Sequence, residues 1–119
     1  MKLSDKQYAF AVTMTEFEAW VGERWKYVRG EAQRSRPEAK RLSALGKGVV
    51  NSNHCLKLAQ DLIIWDKNGS PWNKDVYRQA AEKWITMHPD ARAGYFFRSN
   101  GHGPGRDGPH FSFIHNGRQ

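Results

Sequence analysis

No apolar block in this sequence is long, and each is closed by a glycine, a proline or an asparagine–glycine pair. Gly22, Gly46, Asn68-Gly69, Pro89 and the glycine-rich stretch from Ser99 to Gly108 punctuate the chain. Such punctuation restricts it to short helices and strands. Leu62 to Trp65, an apolar run of four, falls far below the ~18–20 residues that a membrane helix needs, so no membrane span is expected. The lone cysteine, Cys55, excludes an internal disulfide, so stability has to come from one packed core. The 5 Trp, 4 Tyr and 6 Phe supply that core within 119 residues, a length that fits a single compact domain over 1–119. Met1 to Lys6 turns polar at once and has no signal-peptide centre, which predicts a chain made and folded in the cytosol.

The blocks between the stops differ in period. Leu3 to Tyr8 reads as a helix start, with Ser4 as cap, Gln7 completing a capping box and Leu3 stapled to Tyr8. Phe10, Met14, Phe17 and Val21 then recur at helical spacing up to Gly22. Trp25, Tyr27 and Val28 suggest a strand within 24–33. Ser35-Arg36-Pro37-Glu38 opens a second helix that runs to Leu45 and stops at Gly46. Gly46-Lys47-Gly48 lacks the full phosphate-loop pattern and reads as a helix stop. Leu58 to Trp65 is a strand, and Asp66 to Ser70 with its Asn-Gly pair predicts a hairpin. Tyr77, Ala80, Ala81, Trp84 and Met87 mark one face of a third helix, ended by Pro89. Tyr95 to Phe97 and Phe111 to Ile114 read as short strands. About three helices and a small antiparallel sheet make the expected class α+β.

The net charge of +7 is uneven. Its excess lies between Arg24 and Lys47, a concentration that suits nucleic acid, an anionic envelope polymer or simple solubility. No recognised nucleic-acid motif accompanies it, so no stable nucleic-acid partner is expected.

Two histidines stand near carboxylates. Asp61 lies inside the apolar strand block, where its flanks predict burial, and a buried carboxylate needs a cation, hydrogen-bond donors or a metal. His54 is seven positions earlier, an odd offset, so the two face opposite ways on one continuous strand unless His54 sits on the incoming loop. Asp107-Gly108-Pro109-His110 brings a second acid and imidazole together at a tight turn. A hydrolytic zinc site wants three protein ligands, an open position for water and a carboxylate to take its proton. His54, Asp61 and His110 with Asp107 meet that inventory, yet on spacing alone two turn histidines and a turn-capping Asp107 remain the plainer account. His88 before Pro89 reads as structural, His115 as a strand-end residue, His102 as solvated and Cys55 as a buried thiol. Most tryptophans read as core, with Trp65 or Trp72 as candidates for the edge of a substrate groove.

Ser52-x-His54-x(4)-Ala59-x-Asp61-Leu62 followed by Asp107-x-Pro109-His110-Phe111 resembles the zinc peptidase family of D-Ala-D-Ala carboxypeptidases and phage L-alanyl-D-glutamate endopeptidases. The phage endolysin branch is the nearer resemblance. Gly30-Glu31 with Arg34, Pro37-Glu38-Ala39, Gly46-Lys47-Gly48, Asn51-Ser52, Asp107-Gly108-x-His110-Phe111-Ser112 and His115-x-Gly117 also look like it, over roughly residues 3–118. Two features depart from the family pattern. Lys57 stands where the wider family often has glycine, and the stretch Arg98 to Arg106 is longer and richer in glycine than in relatives.

The resemblance implies zinc (Zn2+) as cofactor, held by His54, Asp61 and His110. Asp107 would be the general base, where many relatives have Glu, and Arg34 would stabilise the oxyanion, with Ser52 supporting the His54 loop. It implies a single, monomeric zinc peptidase domain without a separate cell-wall-binding domain, cutting the peptide stem of bacterial peptidoglycan at the L-Ala–D-Glu bond and lysing the host cell. Such an enzyme is made in the host bacterial cytoplasm and reaches the wall after holin-type release. The +7 charge would then draw it to the anionic cell envelope. The rival readings are a D-Ala-D-Ala carboxypeptidase with the same zinc chemistry and a non-catalytic basic nucleic-acid-binding domain.

Overall fold

The computed structural model describes residues 2–30, 56–97 and 108–117. The first element, α1 (Leu3–Gly22), buries Phe10, Thr13, Met14, Phe17, Glu18 and Val21 along one stripe, as the helical spacing predicts. Its start differs from expectation. Lys2 is the N-cap and no side chain caps it. Tyr8 is 74% exposed and does not act as a staple. Gln7 instead donates from Nε2 to the carbonyl of Leu56 at 2.8 Å, so a partner far along the chain replaces the local capping bond. Gly22 does end the helix, for a reason of space: a Cβ there would meet the Tyr27 ring at 3.3 Å.

Four strands follow: β1 (Lys26–Arg29), β2 (Ala59–Trp65), β3 (Ala91–Ala93) and β4 (His110–Phe113). They form one antiparallel sheet in the order β1-β2-β4-β3. A second helix, α2 (Lys74–Met87), separates β2 from β3. The domain is therefore α+β, with two helices, one 3-10 turn and four strands among the described residues. The expected helix from Ser35 to Leu45 and the Gly46-Lys47-Gly48 stop lie outside the described residues.

Two expectations need correction. The Asn68-Gly69 turn does not close a hairpin. Asp66 Oδ1 accepts from the backbone N–H groups of Asn68 (2.8 Å) and Ser70 (2.9 Å), and Oδ2 accepts from Asn73 Nδ2 at 2.9 Å. Gly69 takes the left-handed φ of 83° that this tight reversal requires. Asn73 then caps α2 by accepting from Asp75 and Val76. The turn therefore feeds a helix, and β2 finds its partners in distant segments. Tyr95 and Phe96 belong to the 3-10 turn Gly94–Phe96, while the strand lies just before it, at Ala91–Ala93.

The core fills the layer between the helices and one sheet face. Phe17, Trp84, Phe111 and Phe113 are fully buried. Trp84 meets Phe17 at 5.1 Å and Phe113 at 5.7 Å between ring centroids. Each such ring contributes roughly 1.5–3 kcal/mol by leaving water. Two polar groups pin this layer. Trp84 Nε1 donates to the carbonyls of Arg92 and Ser112, tying α2 to β3 and β4. The Tyr77 hydroxyl accepts from the N–H of Ile64 and donates to the carbonyl of Pro71, both at 3.0 Å. Glu18, on the buried stripe of α1, accepts from the Tyr27 hydroxyl and from Arg29 Nε, which holds β1 against the helix. Burial, reinforced by the Glu18 carboxylate, pushes the Tyr27 phenol up.

Tyr77→Phe strands the buried Ile64 N–H, and about 1–3 kcal/mol of stability should be lost in urea unfolding. Asp66 adds an acid-limb prediction. Its hydrogen bonds, that from Asn73 foremost, hold its carboxyl below the usual carboxylate range. Its contribution is therefore present above the unfolded value of ~3.9 and is lost as pH falls through the lower folded value. The gap in Tm between wild type and Asp66→Asn should narrow on going from about pH 5 to about pH 2.

Candidate active site

Alternation along β2 sorts its residues between the two faces of the sheet. Leu62 and Ile64 enter the core at 0% exposure, while Asp61, Ile63 and Trp65 point the other way. In β4 the same rule sends Phe111 and Phe113 to the core and turns His110 and Ser112 to the Asp61 face, where both are still buried. The register pairs Ala59 with Ser112, Gln60 with Phe111 and Asp61 with His110. Directly paired residues share a face, and His110 Nδ1 lies 3.6 Å from Asp61 Oδ1. The Asp61 side chain keeps 31% of its exposure and that of His110 10%. Asp61 is thus half-buried rather than sealed, with His110 as its described neighbour.

Each member of the pair is held from behind. The Asp61 carbonyl accepts from the Gly30 N–H at 2.7 Å and from Gln60 Nε2 at 2.8 Å. Gly30 comes so close that a Cβ there would sit 3.1 Å from Asp61 Cβ. On the other side, the Pro109 carbonyl accepts from the Leu62 N–H at 2.9 Å and carries the β2–β4 ladder into the turn before His110. Gly108 in that turn rests on the Tyr77 ring, and a Cβ there would meet Cγ at 3.1 Å. The His110 ring is tilted against Phe97 at 5.5 Å. Burial, with a smaller push from the Asp61 charge, raises the Tyr77 phenol, so its hydroxyl stays protonated beneath the pair.

The structure therefore brings together two of the sequence candidates, Asp61 and His110. His54, Asp107, Arg34 and Ser52 lie outside the described residues, as do Cys55 and His102. Among the described residues no group of three His, Cys, Asp or Glu side chains assembles. The pair fits zinc chemistry as a partial set. A carboxylate and an imidazole are both zinc donors, and two ligands at ~2.0–2.2 Å from one tetrahedral ion lie roughly 3.3–3.6 Å apart. His88 and Trp84 are structural, as their sequence contexts predict. His88 stacks on Phe113 at 4.3 Å and accepts from the Asp90 N–H at Nδ1, and Trp84 is core. Sequence reasoning missed Tyr77 as a support of the site, having placed it only on a core face; no spacing rule could have shown its hydroxyl reaching Ile64.

Gly30→Ala tests the close approach beside Asp61. The new methyl should push Asp61 by a few tenths of an ångström away from its place opposite His110, with little change in unfolding midpoint. A crystal structure of the variant with Asp61 unmoved would overturn this expectation.

No protein-family model matches the sequence, and no curated protein matches it. Among solved structures, the chain is similar to the crystal structure of the L-Ala D-Glu endopeptidase ChiX of Serratia marcescens. The TM-score is 0.60 at 20% identity, and the match covers 76% of this chain and 68% of that one. At that identity the two proteins share a fold: a compact α+β domain in which an antiparallel sheet is backed by helices.

Proposed function

We propose that this protein is a zinc-dependent endopeptidase of the phage endolysin type that hydrolyses the peptide stem of bacterial peptidoglycan at the L-Ala–D-Glu bond. The observation that carries this reading is the cross-strand pair of Asp61 and His110, 3.6 Å apart on the outward face of the sheet. The fold likeness to an L-Ala D-Glu endopeptidase supports the choice of bond over a carboxypeptidase's terminal D-Ala-D-Ala. In this reading Asp61 and His110, together with His54, would hold the zinc. When bound, zinc supplies a water acidified to a pKa of ~7 and so nucleophilic at neutral pH.

The chain's own residues do the rest. Asp107 takes the proton of the attacking water and returns it to the leaving amine. Arg34 binds the oxygen on which negative charge develops. Ser52 would support His54 as a ligand, the role the resemblance implies. Asp61 and His110, fixed by the β2–β4 register, contribute position as much as ligation, since a shift of ~1 Å at such a site costs on the order of a hundred-fold in rate. The protein is released from the host cytoplasm by a holin-type partner, and its net charge of +7 draws it to the anionic envelope. Among the described residues no helix is long and apolar enough to cross a membrane.

Metal analysis paired with muropeptide digestion tests the reading. Wild type should carry about one zinc per chain and release fragments cut after L-Ala. Asp107→Ala should keep the metal and lose about 10²–10⁴-fold in kcat, whereas His110→Ala should lose both. A protein without zinc at neutral pH, or a fully active His110→Ala variant, would overturn the proposal. Release of D-Ala alone would move the chain to the carboxypeptidase class.

A further inference from the structure

The face that carries Asp61 and His110 does not end there. Ile63 and Trp65 follow Asp61 on the same side of β2. The register sets Val28 opposite Ile63 and Lys26 opposite Trp65, so both β1 residues join that face. Val28 is 43% exposed, a large apolar side chain left open to water, and Lys26 is exposed as well. The Lys26 ammonium lies over the Trp65 ring, 5.7 Å from its centroid. The neighbouring β1 residues Tyr27 and Arg29 turn the other way and are engaged by Glu18. This leaves Lys26 as the cation that β1 presents on the Asp61 face. The result is a shallow ledge with an acid and an imidazole at one end, apolar Val28 and Ile63 in the middle, and a cation on an aromatic ring at the other end.

We infer that this ledge binds the substrate's peptide in an extended conformation, with Lys26 recognising the free carboxylate at the peptide's C-terminus. The inference rests on the endopeptidase reading and adds to it a specificity-determining residue. Four residues of β2 separate Asp61 from Trp65, roughly 13 Å at ~3.3 Å per residue. An extended peptide advances by about the same amount per residue, so a terminal carboxylate about four residues beyond the cleaved bond arrives at Lys26. Charge complementarity selects an acidic occupant, and the apolar middle of the ledge accommodates alanine-type methyl groups. The ring beneath Lys26 restricts where its ammonium can sit, which lowers the ordering cost of meeting a carboxylate.

The test compares two synthetic peptides that contain the L-Ala–D-Glu bond and three further residues after D-Glu, one ending in a free carboxylate and the other in an amide. Wild type should favour the acid by about 1.5- to five-fold in kcat/KM, the range of an exposed ion pair, through KM and not kcat. Lys26→Gln should cleave both peptides at the rate wild type shows for the amide, while Lys26→Arg restores the preference. Lys26 is exposed, so an unchanged Tm should accompany the substitution. Equal kcat/KM for acid and amide in wild type, or an undiminished preference in Lys26→Gln, would overturn this inference and leave the endopeptidase reading standing. Failure of wild type to cleave either peptide would overturn both.

Discussion

Three residue pairs join β2 to β4, and the candidate site depends on them: Ala59 with Ser112, Gln60 with Phe111, Asp61 with His110. Because side chains alternate at every residue, a slip of one position would carry Asp61 to the core face and expose Leu62 and Ile64 to water. The buried rings of Phe111 and Phe113 and the two large aliphatics of β2 prevent that slip. Hydrophobic burial thus sets the register, and the register sets the separation of the two polar groups. The site needs no dedicated scaffold beyond the core that the chain must build to fold at all.

A second set of contacts adjusts what the register leaves loose. Tyr77 holds β2 through Ile64 and supports the Gly108 turn with its ring, so one side chain of α2 controls the height of both strands at the site. Gly30 closes the other side, by having no Cβ to push Asp61 away. The Glu18–Arg29–Tyr27 cluster, remote from the carboxylate–imidazole pair, keeps β1 in contact with α1 and so keeps Gly30 in place. These supports act by position, and their loss would misplace Asp61 and His110 rather than remove them.

The legible part of the sequence was the part governed by local period. Both described helices, the strand at 59–65 and the burial of Phe10, Met14, Phe17, Val21, Tyr77, Ala80, Ala81 and Trp84 follow from spacing. Asp61 was legible because an acid amid apolar neighbours demands a partner, and His110 because it follows a tight turn. The failures occurred where a distant partner outcompeted a local one. Gln7 bonded the Leu56 carbonyl rather than its own helix start. Asn68-Gly69 made a sound turn, but Asp66 and Asn73 directed what followed into a helix, and no two-residue signal encodes that. Tyr95 and Phe96 resemble strand residues in isolation, yet the strand there is the small-residue segment Ala91–Ala93, which pairs with β4. The approach of Tyr77 and Gly30 to the site comes entirely from tertiary structure.

The sheet order β1-β2-β4-β3 also shapes how the chain reaches this structure. The inner strand β2 finds both partners across long intervening stretches: Arg29 pairs with Leu62 and Asp61 with His110. Each pairing must meet its loop-closure entropy before any ladder bond compensates. The helices carry local contacts and can form early, whereas Asp61 meets His110 only once the sheet has closed from both ends. The carboxylate–imidazole pair therefore depends on long-range closure of the sheet, so a partly folded chain has no assembled pair.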